Sequence, residues 1–272
     1  MRLTPGQVDD FFGRGWVVVP ALFGADELAA ARAAFERLHA TAQRLRVTQD
    51  HAGARFVLTD RGGGMPASEA AGGGVVVQRV VWAGGAEPAL LDIGADPRLV
   101  GPALQLLGSE RCEQLLCQAH FKMPGDGVSF DWHQDVQHRD KGPGTWRDIN
   151  GRGSYVQTLL AVDEMRTDNG PLQFVPREAV QLDDRGRLRD AHYDYGTPMA
   201  GGDETVDAGR AETITGPAGS VIFFGPYAVH GSTPNTSSVP RRVLINGYAY
   251  PGANGRVYPG EGSGRVLPRP AA

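Results

Sequence analysis

The chain has 272 residues, enough for one large domain or two small ones with a sizeable core. Hydrophobic residues at 41% and charged ones at 21% are ordinary for a soluble globular protein, and a net charge of −4 argues against a broad nucleic-acid-binding face. No apolar run reaches the ~18 residues needed to span a bilayer. The opening MRLTPGQVDDFFGRG carries acids where a signal peptide would be apolar. Cys112 and Cys117 stand five apart on an expected strand and so face opposite ways, which makes a mutual disulfide unfavourable and the cytosol the expected location.

Thr4-Pro5 starts a short helix that Gly13 or Gly15 ends, and Trp16 to Val19 reads as a strand. Asp26 and Glu27 open a longer helix, where acids suit the positive end of the dipole. In it Leu28, Ala31, Phe35, Leu38, Ala42 and Leu45 recur at spacings of three and four, giving one apolar face to pack on a sheet. Residues 61–74 hold two Gly triplets with neither GxGxxG nor GK[ST], which predicts a mobile loop and no phosphate cradle. A β-branched strand from Val75 to Trp82 and short helices at 87–93 and 98–107 follow.

From Cys112 the pattern changes to short strand-like runs at 112–123, 128–132, 154–162, 171–175, 212–215, 220–224, 228–230 and 241–250, with polar insertions at 136–153 and 181–210. The expected fold is therefore α+β and mainly β: one domain over 1–272. Helices in about 1–110 buttress a jelly-roll or cupin-like core in about 111–250.

Two polar clusters carry chemistry. His133 and Asp135, two apart in Trp132-His133-Gln134-Asp135, share a face if the chain is extended and can reach one ion. His230, after the apolar strand Val221–Phe224 and the turn Gly225-Pro226, is the natural third ligand. Two imidazoles and a carboxylate on one face leave three positions open, the set that non-haem Fe(II) oxygenases use. The triplet alone also fits a His133 that caps a turn and an Asp135 paired with Arg139 or Lys141.

Eleven residues after His230, Arg241 opens a strand on one face with Val243, Ile245 and Gly247, while Arg242 points the other way. An inward arginine must meet an anion. That anion is either a buried acid or a dicarboxylate that chelates the metal at its other end.

Taken together, Trp132-His133-Gln134-Asp135, Asp168-Asn169-Gly170-Pro171-Leu172 and the H-x-S-x-x-N-x-S-x-x-x-R pattern from His230 to Arg241 resemble the phytanoyl-CoA dioxygenase family over roughly residues 10–250. The resemblance implies a double-stranded β-helix and oxidative decarboxylation of 2-oxoglutarate to succinate with O2. It further implies Fe(II) on His133, Asp135 and His230, and the distal carboxylate of 2-oxoglutarate on Arg241. Ser232, Thr158 and Gln118 stand where family members add polar contacts to the cosubstrate. Val175-Pro176-Arg177-Glu178 departs from the family's Pro-Gly-Ser-His turn and puts transfer around 176–180 in doubt, without touching a ligand. Asp135, which related halogenases replace by a small residue, favours hydroxylation or another oxidation (desaturation, epimerisation or ring closure) over chlorination.

His120 alternates with Gln118 and Lys122 on an inward strand face, which places it at the pocket or in a structural role. His39, His51 and His192 read as surface or packing residues. The insertion 136–153, with His138, Arg139, Lys141, Trp146, Arg147 and Arg152, lies at the mouth of the core. It suits a polar or anionic small-molecule substrate or, equally, a solvated loop. Neither a nucleic-acid nor a membrane partner is expected, and the oligomeric state is open. Two other functions remain: a jelly-roll ligand-binding protein without redox chemistry, and a cupin-like iron enzyme that uses no 2-oxo acid.

Overall fold

The computed structural model describes residues 1–59, 74–189 and 205–270. The glycine-rich loop up to residue 73, His192 and the middle of the 181–210 insertion lie outside them.

Helix α1 (Pro5–Arg14) starts as a reciprocal cap. The Thr4 hydroxyl accepts from the Gln7 amide and the Gln7 side chain accepts from the Thr4 amide, while Gly15 ends the helix at φ 95°. Strand β1 (Trp16–Val19) follows, then α2 (Ala25–Leu45), which buries Leu28, Ala31, Ala34, Phe35, Leu38 and Ala42 along one stripe. Next comes a hairpin of β2 (Gln49–His51) and β3 (Ala54–Thr59), absent from the sequence reading. Then follow β4 (Val76–Val81), α3 (Pro88–Gly94) and α4 (Pro97–Leu107).

The second half contains β5 (Arg111–Lys122), β6 (Phe130–His133), a single helical turn α5 (Val136–Arg139), β7 (Tyr155–Ala161) and β8 (Leu172–Val175). It continues through β9 (Glu212–Thr213), β10 (Val221–Phe224), β11 (Val229–Ser232), β12 (Arg241–Ala249) and β13 (Arg265–Pro268), the last also unanticipated.

The strands form two sheets. The large one runs β1-β10-β7-β12-β5-β4-β3-β2 with β13 also on β5, the small one β6-β11-β8-β9, and all their pairings are antiparallel. One face of the large sheet, with Phe121, Val156, Leu160, Phe223 and Leu244, packs on α2 and α4. The other, with Leu159, Ile222, Phe224, Val243 and Ile245, meets Leu172 and Phe174 of the small sheet. Trp16 stacks on Phe174 with ring centroids 4.5 Å apart and ties the first strand to the small sheet. This is a jelly-roll core with helices on its outer face, mainly β, as the strand spacing implies. Cys112 and Cys117 are buried free thiols, both pushed up to about 12 by burial. Among the described residues no helix is long and apolar enough to cross a membrane.

Candidate active site

A cavity of about 320 Å³ opens between the two sheets. His133, at the end of β6, lies directly opposite His230 in the ladder with β11, and the two rings sit 4.2 Å apart. Each ring is held in the same way. The Nδ1 of His133 lies 2.7 Å from the Asp131 carbonyl and that of His230 2.9 Å from the Ala228 carbonyl. A carbonyl accepts only, so each Nδ1 carries the proton and each Nε2 keeps its lone pair for a cation. Burial pushes His230 down to about 4, so it is neutral near pH 7. Phe224 and Phe174 wall its ring at centroid distances of 4.9 and 5.7 Å.

Extended chain would put His133 and Asp135 side by side on one face. Strand β6 instead stops at His133, and Asp135 already has helical angles (φ −64°, ψ −24°) as the residue that caps α5. The two side chains still converge, because Gln134 between them is pinned the other way. Its amide nitrogen donates to the Tyr227 carbonyl (2.8 Å) and the Gly186 carbonyl (3.0 Å), and its oxygen accepts from the Leu188 amide (3.0 Å).

Asp135 is 4% exposed and its Oδ2 is buried without a hydrogen-bond partner, while Arg139 donates to Tyr258 and Tyr155 and not to it. An ionised carboxylate left in this state is costly, and a cation beside it removes the cost. The donor set of two neutral imidazole nitrogens and one unpartnered carboxylate therefore fits a divalent metal. His133, Asp135 and His138 of α5 also offer ligand atoms within 4.8 Å of one another, so His138 borders the same point.

Arg241 opens β12 with Val243 and Ile245 on the cavity wall. It is 2% exposed, and its Nε is buried without a partner. No carboxylate of the described residues lies within ion-pair distance of it, and burial pulls it down to about 10. Arg242, facing the helices, is satisfied by Asp163 through Nε (2.7 Å) and Nη2 (3.0 Å). Of two adjacent arginines, the one toward the cavity is the one that lacks an anion, so that end of the cavity fits a carboxylate.

Gln118, His120 and Ser232 line the cavity, with His120 Nε2 2.9 Å from Gln118 Oε1. Lys122, opposite Arg241 in the ladder, is 1% exposed beneath it and donates to Ser232 Oγ (2.7 Å) and to the Thr233 carbonyl.

Thr158 is a correction. It faces the helices and donates to the Asn246 carbonyl (3.3 Å), while its strand neighbours Gln157 and Leu159 line the cavity. All seven residues of β7 are buried, so alternation could not reveal which set pointed inward. Arg256 and Tyr258, which also line the cavity, lie beyond the last expected strand, where no motif marks them. Of the cations of the 136–153 insertion, Arg139 reaches the cavity wall whereas Arg147 and Arg152 are exposed.

The family model described as phytanoyl-CoA dioxygenase matches residues 12–243. Ectoine dioxygenase of Bordetella bronchiseptica is 30% identical over 258 residues, covering 90% of this chain and 75% of that protein. L-proline trans-4-hydroxylase of Streptomyces griseoviridis is 30% identical over 167 residues, 56% of this chain and 59% of that one. Among solved structures, EctD from S. alaskensis with 2-oxoglutarate and 5-hydroxyectoine superposes with a TM-score of 0.67 at 20% identity, covering 97% of this chain and 82% of that chain. The 2-oxoglutarate-dependent carbocyclase SnoK of nogalamycin biosynthesis does so at 0.65 and 20%, covering 95% and 87%.

Proposed function

Since this chain belongs to the phytanoyl-CoA dioxygenase family, we propose that His133, Asp135 and His230 hold its iron, that Arg241 takes the distal carboxylate of 2-oxoglutarate, and that it hydroxylates a small polar metabolite in the cytosol as a single catalytic domain. The chain is an Fe(II)- and 2-oxoglutarate-dependent dioxygenase by class. The observation that carries the residue assignment is a pair of unmet charges on one cavity: the buried, unpartnered Oδ2 of Asp135 and the buried, unpartnered Nε of Arg241. Iron and 2-oxoglutarate, when bound, supply a strong oxidant from O2 with release of succinate and CO2.

The residues of the chain do the rest. The Asp131 and Ala228 carbonyls fix both imidazoles in the ligating tautomer. Arg241 sets where the oxo acid lies, with the Ser232 hydroxyl and the Gln118 amide beside it. Leu159, Phe224, Val243 and Ile245 keep that part of the cavity apolar and exclude water from the reacting centre. The cavity stands at the small end of ligand sites, which run from about 300 to 1,000 Å³. It must take the cosubstrate as well, which supports a small substrate. So do relatives named for ectoine and L-proline.

The test is an anaerobic titration of apo-protein with Fe(II) and then 2-oxoglutarate, following the visible charge-transfer band of the chelated oxo acid. Wild type is expected to give the band and Asp135→Ala to lose most of it. Arg241→Ala should need about thirtyfold more 2-oxoglutarate or more, the size of losing one partner of a buried charge pair. His230→Ala is expected to lose stoichiometric iron and His138→Ala to keep it; the reverse would make His138 the third ligand. Absence of a band at full iron occupancy would remove 2-oxoglutarate from the mechanism.

A further inference from the structure

At the opposite end of the cavity from Arg241 sits a second buried guanidinium. Arg139, on α5 just after Asp135, is 4% exposed and lines the cavity. No carboxylate of the described residues is hydrogen-bonded to it, and Asp135 acts on it only through its charge. Its Nη1 donates to the Tyr258 hydroxyl (3.0 Å) and its Nη2 to the Tyr155 hydroxyl (3.1 Å), and its Nε is buried without a partner. Both acceptors are neutral, so they orient the fork without neutralising it. The guanidinium carbon also lies 4.6 Å from the Tyr155 ring centroid and 5.3 Å from that of Tyr258, so aromatic faces hold it in place.

The cradle is built into the sheet. The Tyr155 hydroxyl donates a hydrogen bond to the Gln157 side-chain oxygen (2.7 Å), and Gln157 lines the same cavity. Tyr155 fits only because residue 247 of β12 is glycine: a Cβ there would lie 1.9 Å from the Tyr155 Oη. Arg241 and Gly247 are six residues apart on one strand, about 20 Å along the backbone, and Arg139 is held at the Gly247 end.

The charge balance points the same way. Leaving aside Arg79 and the Arg55 that pairs with Asp50 at 3.1 Å, Arg139, Arg241 and Arg256 line the cavity against Asp131 and Asp135. If the preceding assignment holds, a divalent metal and a dianionic oxo acid add no net charge, and the excess of cations persists.

We propose that Arg139, preset by Tyr155 and Tyr258, binds a carboxylate of the substrate, so that the enzyme acts on small carboxylic or amino acids. A planar carboxylate matches the guanidinium fork, and meeting it supplies an acceptor for the buried Nε, which has none. This rests on the proposed iron and 2-oxoglutarate site, and it reads the other end of the same cavity. Arg139 is a specificity residue: it fixes one end of the substrate and thereby the position of the C–H bond to be oxidised.

The test uses protein loaded anaerobically with Fe(II) and saturating 2-oxoglutarate, so that Arg241 is already engaged. Matched probes are titrated in: acetate and acetamide, L-alanine and L-alaninamide, L-proline and L-prolinamide. Perturbation of the charge-transfer band and calorimetry report binding, in wild type and in Arg139→Met, Arg139→Lys and Tyr258→Phe.

At least one acid is expected to bind wild type tenfold more tightly than its amide. That preference should vanish in Arg139→Met, with the acid weakened about thirtyfold or more. Arg139→Lys should retain part of the preference, and Tyr258→Phe should weaken the acid several-fold and leave the amide unchanged. That last arm decides the matter if Arg139→Met does not fold. No acid preferred over its amide by wild type, a preference that survives Arg139→Met, or inorganic phosphate binding ahead of every carboxylate would overturn the proposal. The band before any probe is added reports the iron and 2-oxoglutarate site alone, so failure there is distinguishable from failure of the Arg139 assignment.

Discussion

Lys122 shows how far a single side chain can depart from its usual chemistry. Burial, with Arg241 facing it from β12, pushes its ammonium down to about 6. His120, on its own strand, is also held well below its ordinary value, first by burial and then by the surrounding cations, Lys122 among them. A lysine with a depressed folded-state value binds fewer protons folded than unfolded between about pH 6 and its ordinary range near 10.5. Its contribution to stability is therefore fully present at high pH and is lost as pH falls toward 6. Urea unfolding of the apo-protein at pH 6, 7.5 and 9 should show stability rising with pH, and Lys122→Met should flatten that rise. An unchanged slope in the variant would mean that Lys122 is not the group that titrates.

The residues that the sequence made legible were those whose chemistry has no cheap structural alternative. His133, Asp135, His230 and Arg241 all converge on the cavity, where an inward carboxylate and an inward guanidinium are too costly to keep without a partner. Thr158 was not legible, since a hydroxyl is satisfied equally well by a backbone carbonyl on the far side of its strand. Arg139 was legible as a cation near the mouth of the core, but not as a buried one: its burial depends on Tyr258, which is 119 residues away.

At the scale of the element, the long helix and the apolar strands followed from periodicity, and their observed bounds fall within a few residues of those expected. What periodicity missed is equally physical. In β2, two of three residues are exposed, and β13 alternates half-buried with exposed residues and ends in proline, so neither carries an apolar signal. Strand β12 makes the opposite case, with nine buried residues between β5 and β7. Gly247 in it is required by its neighbour and not by a turn. In Gly247→Ala the Tyr155 ring must shift away from Arg139 and Gln157, and overpacking of this kind costs about 1–3 kcal/mol. For a chain of this size that is a fall in Tm of about 2–4 °C per kcal/mol. Tyr155→Phe, which removes the nearest clashing atom, should restore part of the loss in the double variant. Purely additive effects would show that the two residues do not share the space.

At the scale of the whole molecule, the ladder between β6 and β11 joins His133 to His230, and β5 brings Gln118 and Lys122 against Ile245 and Arg241. None of these long-range pairings could be read from local sequence, because strand order depends on connections and not on any one segment. Ligands that bind only the folded form should stabilise it. Saturation with Fe(II) and 2-oxoglutarate at a hundred times their dissociation constants adds about 2.7 kcal/mol for each independent site. That predicts a Tm rise of about 5–10 °C for each ligand in anaerobic thermal scans. No rise at saturating concentrations would mean that neither ligand binds the native state.

Gln134 joins the turn between His133 and Asp135 to the Tyr227 carbonyl, 93 residues along the chain and just ahead of His230. The spacing of the proposed ligands is thus held by an amide and a sheet, whatever occupies the site. Iron is in that sense a lodger and not a rivet, unlike the metal of a zinc finger, whose removal unfolds the chain. Chelation should lower the Tm and abolish turnover, yet leave the far-ultraviolet circular dichroism at 25 °C unaltered. The protein could then lose and regain its metal over its lifetime without being remade.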